Sequence, residues 1–231
     1  MRAEHNFMHQ VVTGNGLSSP VVPTQSTYSE TVSTASDTWN INHGLGGFVV
    51  PQILDSSDKV VHPDKIVYVD DDNINVIWPS AMSGMITCVI NTDHQYSVSG
   101  SSSYTISHGL GTNAIAAMWS NINDPVDGLE KILVYPTNES NSGLNDTLLS
   151  FDANIDGDVA ICNEIVHDTE GATVTDFTFT HNANTDCICV VVNSLTFRMW
   201  PDEIVRVGTP MSAFDIEGID TSDETTAFNA F

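Results

Sequence analysis

Basic residues are almost missing from this chain. Its 231 residues include 6 Lys and Arg against 30 Asp and Glu, a formal net charge of −24. The three lysines (Lys59, Lys65, Lys131) and three arginines (Arg2, Arg198, Arg206) are scattered and build no basic patch. A surface this negative repels phosphates and anionic lipid heads. That excludes nucleic acid as a partner and polybasic docking on a membrane. Long apolar runs are missing as well. No segment approaches the roughly 20 apolar residues of a membrane-crossing helix, so no membrane insertion is expected. The opening Met1-Arg2-Ala3-Glu4-His5-Asn6 has no apolar stretch behind it, and no secretory signal is expected.

Cysteine is sparse: Cys88, Cys162, Cys187 and Cys189 fit neither a dense disulfide framework nor a zinc ribbon. Cys187 and Cys189 stand two apart in a strand-like run and point to one face, where a bridge between them would be strained. All four lie among Val and Ile and read as small hydrophobes. Helical periodicity is also scarce. Short β-branched runs replace it, such as Ile66-Val67-Tyr68-Val69, Ile74-Asn75-Val76-Ile77-Trp78 and Met85-Ile86-Thr87-Cys88-Val89-Ile90, each cut by Gly, Asn, Asp, Ser or Pro. The expected fold is all-β, in tandem small β-sandwich units of Ig-like or jelly-roll-like form.

What is abundant is aspartate, 21 residues against 9 glutamates. Short hydrated carboxylates with few lysine stems suit concentrated salt, where repulsion is screened within a few ångströms. The composition points to a halophilic or marine setting.

A repeat organises the chain. Trp39-Asn40-Ile41-Asn42-His43-Gly44-Leu45-Gly46 recurs 65 residues later as Tyr104-Thr105-Ile106-Ser107-His108-Gly109-Leu110-Gly111. A weaker third copy, Phe177-Thr178-Phe179-Thr180-His181-Asn182-Ala183-Asn184, replaces glycine by asparagine, the residue that next best tolerates a left-handed backbone. Aromatic-x-apolar-x-His reads as a strand. Gly-Leu-Gly then turns the chain with positive φ while leucine plugs the core. His43, His108 and His181 are therefore read as structural turn residues that hydrogen-bond turn backbone, not as metal ligands or catalysts. Downstream, Ile66–Val69 running through Asp70–Asn73 into Ile74–Trp78 is matched with Leu148–Phe151 running through Asp152–Asp158 into Val159–Cys162, both taken as hairpins with acidic tips.

These marks divide the chain. Residues 1–30 are expected as an extended arm, 31–95 as a first β-sandwich unit, and 96–166 as a second. The second carries an Asn-, Ser-, Gly- and Pro-rich insertion over 121–145, placed as an external loop around one short strand, Lys131 to Tyr135. Residues 167–200 are expected as a third, partial unit completing a sheet, and 201–231 as a C-terminal tail.

Chemistry-bearing motifs are few. Asp152-Ala153-Asn154-Ile155-Asp156-Gly157-Asp158-Val159 carries oxygen ligands at positions one, three and five and a glycine at six, as a calcium loop does. Asp152, Asn154, Asp156 and Asp158 are thus a candidate calcium or magnesium site, although the closing glutamate is out of register and no cofactor is required. No Gly-x-Ser-x-Gly elbow and no P-loop is present, and among 30 acids some carboxylate pair is always close, so no catalytic residues are assigned.

The first unit, from Trp39-Asn40-Ile41-Asn42-His43-Gly44-Leu45-Gly46 through Pro51, Ile53-Leu54-Asp55, Ile66–Asp70, Ile74–Trp78 and Ser83-Gly84-Met85-Ile86, resembles the small β-sandwich modules of tail fibres, baseplate appendages and other virion proteins of tailed viruses. The resemblance covers 38–91 well, 103–163 in part, and 173–193 only at the histidine turn. It implies a non-enzymatic structural protein on the outside of a virus particle: a capsid decoration or turret, or a tail-fibre or baseplate component. With the aspartate-rich composition it implies a virus of a haloarchaeon or a marine bacterium. Its expected partners are other virion proteins, further copies of itself (a trimer favoured) and, through residues 121–145, a host cell-surface glycan. Two rival readings are a cellular calcium-dependent adhesin or surface-layer glycan-binding module, and a hydrolase of surface polysaccharide.

Overall fold

The computed structural model describes residues 25–111, 114–124, 128–142, 144–163, 166–170, 177–180, 188–193, 198–199, 203–208, 213–217 and 226–230. Every regular element among them is a strand. The first set is β1 (Gln25–Asn42), β2 (Val50–Asp55), β3 (Val60–Val61), β4 (Lys65–Asp70) and β5 (Asn73–Asn91). The second is β6 (Gln95–Ser107), β7 (Ala114–Asp124), β8 (Gly128–Val134), β9 (Asn138–Asn141) and β10 (Asp146–Asn163). All ten form one antiparallel sheet. Then come β11 (Val166–Glu170), β12 (Phe177–Thr180), β13 (Cys189–Asn193), β14 (Arg198–Met199), β15 (Glu203–Val207), β16 (Ala213–Glu217) and β17 (Thr226–Ala230). These make a four-stranded sheet, β11-β17-β13-β14, and a three-stranded one, β12-β16-β15.

The long strands explain how one sheet encloses a core. β5 pairs with β1 along both halves, but the ladder is irregular between Val32 and Thr38, opposite Pro79 and Ser80. Proline has no N–H to give a ladder, so the pair bends there. The half of β5 before the bend lies beside β4, and the half after it lies beside β2. The sheet thereby curls over itself, as strands do when they switch layers of a sandwich. Trp39, Ile41, Ile74 and Val76 from one side meet Ile53, Ile86, Cys88 and Ile90 from the other in one buried cluster. The strict alternation Ile74, Val76, Trp78 puts the apolar side chains on that inner face.

The second set repeats this plan. β10 is flanked by β9 before its own bend and by β7 after it, while β6 runs along both halves. Its core gathers Ile106, Met118, Leu149, Val159 and Ile161.

Three sequence expectations meet a different arrangement. Residues 25–30 pair with Ile86–Asn91 inside β1, not in an arm. The stretch 121–145 is not an external loop: β8 pairs with β7 on one side and with β4 of the first set on the other, so it fuses the two sets. Asp152–Asp158 is not a hairpin tip either. It is the bend within β10, and the tip equivalent to Asp70–Asn73 is the β9–β10 turn before Asp146. In sequence the two are alike, because a bent strand and a hairpin both interrupt an apolar run with polar residues. Beyond residue 201, β15, β16 and β17 are all paired in sheets and Phe214 is fully buried.

Candidate functional site

The repeated turns are built atom for atom alike. His43 N and Gly44 N donate to Asp72 O (2.9 and 3.2 Å), and His108 N and Gly109 N donate to Asn145 O (2.8 and 3.1 Å). Leu45 N donates to His43 Nδ1 at 3.2 Å and Leu110 N to His108 Nδ1 at 3.3 Å. Gly46 N donates to Asp72 Oδ1, and Gly111 N to Asn145 Oδ1. Gly44, Gly46, Gly109 and Gly111 have φ of 61°, 77°, 66° and 71°, the left-handed region that favours glycine. Since Nδ1 accepts, the imidazole proton sits on Nε2, and both Nε2 atoms are buried without a hydrogen-bond partner among the described residues. Burial lowers both histidine pKa values. Asp72 and Asp70 oppose this at His43; at His108, His94 adds to it and Asp146 opposes it. His181 lies outside the described residues. The third copy enters the small sheet through β12, which pairs with β16.

The four acidic-stretch residues do not form one cluster. Asp156 accepts from Gly100 N at 2.5 Å. Asp158 accepts from Ser97 Oγ at 2.6 Å and pairs with Lys131. Asp152 and Asn154 are exposed. Among the described residues, no three His, Cys, Asp or Glu side chains converge as a metal-holding group. Cys88, Cys162 and Cys189 are buried, and burial pushes the Cys162 thiol up to about 12; Cys187 lies outside the described residues.

The junction of the two strand sets is better built than any single loop. Trp119 of β7 crosses into the first core, where its Nε1 donates to Val49 O at 3.0 Å. Phe48, Tyr68 and Trp119 pack there in tilted and edge-to-face pairs, with centroids 4.5 to 6.4 Å apart. Burial, then the bond to Asp71, raises the Tyr68 pKa. Lys65 of β4 pairs with Glu130 of β8 at 2.6 Å. The three-stranded sheet is tied on in the same way: Arg206 pairs with Asp58 at 3.0 Å and Lys59 with Glu203 at 2.7 Å. Asp58 takes φ 63°, which a short polar side chain tolerates. Gln52 acts as a stand-in strand, its amide exchanging two hydrogen bonds with the Cys189 backbone at 3.0 and 3.1 Å.

Beside this seam lies a cleft of about 510 Å³ between the β3–β4 loop and the β8–β9 loop, which shares His62, Pro63, Ile66 and Tyr135 as lining with a small neighbouring pocket beside β2. No chemistry-bearing motif of the sequence falls on it. The sequence clue is a ring-bearing residue followed by proline, His62-Pro63 and Tyr135-Pro136, a pair that Trp78-Pro79 also forms and that therefore does not single the cleft out.

Comparison with family models, with curated proteins and with solved structures gives no significant match to this chain.

Proposed function

We propose that this protein is a non-enzymatic structural component of the exterior of a tailed virus particle, either a capsid decoration or turret or a tail-fibre or baseplate part. The observation that carries the reading is the His-Gly-Leu-Gly turn, which recurs with the same bonds in both strand sets. It belongs to the residues on which the likeness to virion β-sandwich modules rests. The use of charge supports it. Lys59, Lys65, Lys131 and Arg206 are each committed to ion pairs that join separate elements. In an acidic chain, that spends scarce cations on rigidity, as suits a part that carries load. In this reading the partners are other virion proteins and further copies of the chain, with a trimer favoured.

The test is to separate purified particles into heads and tails and count this chain in each by quantitative mass spectrometry. Many copies with the heads support decoration, and a few with the tails support an appendage. Absence from both ends the virion reading and moves a cell-surface adhesin to first place.

A further inference from the structure

The seam cleft is made from one loop used twice. Asp64 N donates to Ile77 O at 3.0 Å and Thr137 N to Ser150 O at 2.8 Å. These bonds correspond, because Ile77 lies opposite Thr38 in the first set and Ser150 opposite Ser103 in the second. The bonds place His62-Pro63-Asp64 and Tyr135-Pro136-Thr137 at equivalent positions, and the pairing of β4 with β8 turns them toward one cleft. The two rings meet edge to face, with centroids 5.5 Å apart and planes at 79°. Tyr135 nonetheless remains 42% exposed.

The volume lies in the usual range of small-molecule sites, roughly 300–1,000 Å³. Two rings and two prolines supply apolar walls. Asp64 supplies a carboxylate, and Thr137 a hydroxyl whose proton is already given to Ser150 O at 2.9 Å, leaving it an acceptor. Lys65, held by Glu130, supplies a cation at the same cleft. We propose that this cleft binds a neutral saccharide residue. A pyranose has C–H faces that lie against rings and a rim of hydroxyls that donate to Asp64 and Thr137. A wholly apolar ligand would bury those oxygens unpaired, which is costly. An anionic sugar would enter the field of a chain with net charge −24. The proposal deepens the outward-facing reading given above and rests on it for the source of the sugar, not for the geometry of the cleft.

The experiment uses the full chain, isotope-labelled, in molar potassium chloride. Methyl glucoside, galactoside and mannoside are titrated separately, with methyl glucuronide as the anionic comparison, and amide shifts are followed by NMR. At least one neutral glycoside is expected to shift the amides of His62, Asp64, Lys65, Leu133, Val134, Tyr135 and Thr137, with a dissociation constant of roughly 1 mM. Tyr135→Ala is expected to weaken it about tenfold, the worth of one ring contact, and Asp64→Asn to weaken it by a smaller factor. Asp64 is exposed, so Asp64→Asn carries the test alone if Tyr135→Ala lowers the unfolding midpoint. The site is overturned if no neutral glycoside moves those amides, if folded variants bind as the parent does, or if the glucuronide binds as tightly. A chain found in particles that binds no glycoside keeps the structural reading and loses the site; binding by a chain absent from particles does the reverse.

Discussion

Lys131 Nζ stands 4.4 Å from the centroid of the Phe48 ring while pairing with Asp158. One cation on β8 thus holds the β1–β2 loop of the first strand set to the bend of β10 in the second. Both partners are largely buried, with side chains 23% and 18% exposed. Removing one member leaves the other charged and poorly solvated. Lys131→Met, which keeps the stem, is expected to cost about 1–3 kcal/mol. Adding Asp158→Asn should recover part of that loss. Urea unfolding of the two single variants and the double variant measures the coupling, and strictly additive effects would refute the tie.

Two glycines test the equivalence of the strand sets. A Cβ on Gly84 would overlap the Leu54 carbonyl oxygen, and one on Gly157 would overlap that of Trp119. Both sit where a bent strand crosses close to its neighbour, opposite Asp55 and Ser120. Backbone cannot move aside as a side chain does, so Gly84→Ala and Gly157→Ala should each cost at least about 2–3 kcal/mol. Gly46→Ala meets open space and only the left-handed φ of 77°, a penalty of about 1–2 kcal/mol. Denaturation midpoints that rank Gly46→Ala as the most damaging would contradict this account.

The all-β class was legible because alternation such as Ile74, Val76, Trp78 reports one buried face directly. The first half of the repeat was legible because histidine and glycine perform a backbone task that few residues can share. The second half was hidden. Its counterparts differ in chemistry: Ile66 answers to Glu139, and Asp72 to Asn145. Glu139 and Asn141 are buried because their side chains bond Ala116 N and Ala114 N, giving those donors partners from side chains. The partners of β8 were equally hidden. Strand pairing depends on neighbours far along the chain, and a polar segment between turns looks the same whether it pairs or hangs free. The seam cleft is hidden for the same reason, since the pairing of β4 with β8 is what brings its two halves together.

The turn histidines set a pH response whose sign follows from burial. His43 and His108 have folded pKa values below the ordinary 6.5. The unfolded chain therefore binds more protons than the folded chain over this range. Their contribution is fully present above 6.5 and is lost as pH falls through the folded values. His94, also lowered by burial, adds in the same direction. Protonation at Nδ1 additionally breaks the bond from Leu45 N or Leu110 N. Urea midpoints should drop as pH falls below 6.5, before carboxylates titrate. The drop should be smaller in a His43→Asn, His108→Asn variant, where an amide oxygen accepts without titrating. An equal slope in parent and variant would reject the assignment.

Salt separates the general field from the specific pairs. With 30 acids and 6 bases the long-range term is repulsive. Its reach falls from about 10 Å at 0.1 M to about 3 Å at 1 M. Raising potassium chloride across that range should therefore raise Tm by several degrees, since a 1 kcal/mol gain in a chain of this size is worth roughly 2–4 °C. The exposed pair Lys59–Glu203 is screened along with the repulsion, so a Lys59→Met change should matter little in molar salt. The pair Lys131–Asp158 is mostly shielded from solvent, and the cost of Lys131→Met should persist there. Calorimetry on the parent and both variants at the two salt levels distinguishes the terms. A Tm that falls with salt would mean that the cross-element pairs outweigh the net charge, and the reading of the composition as a fit to concentrated brine would fail with it.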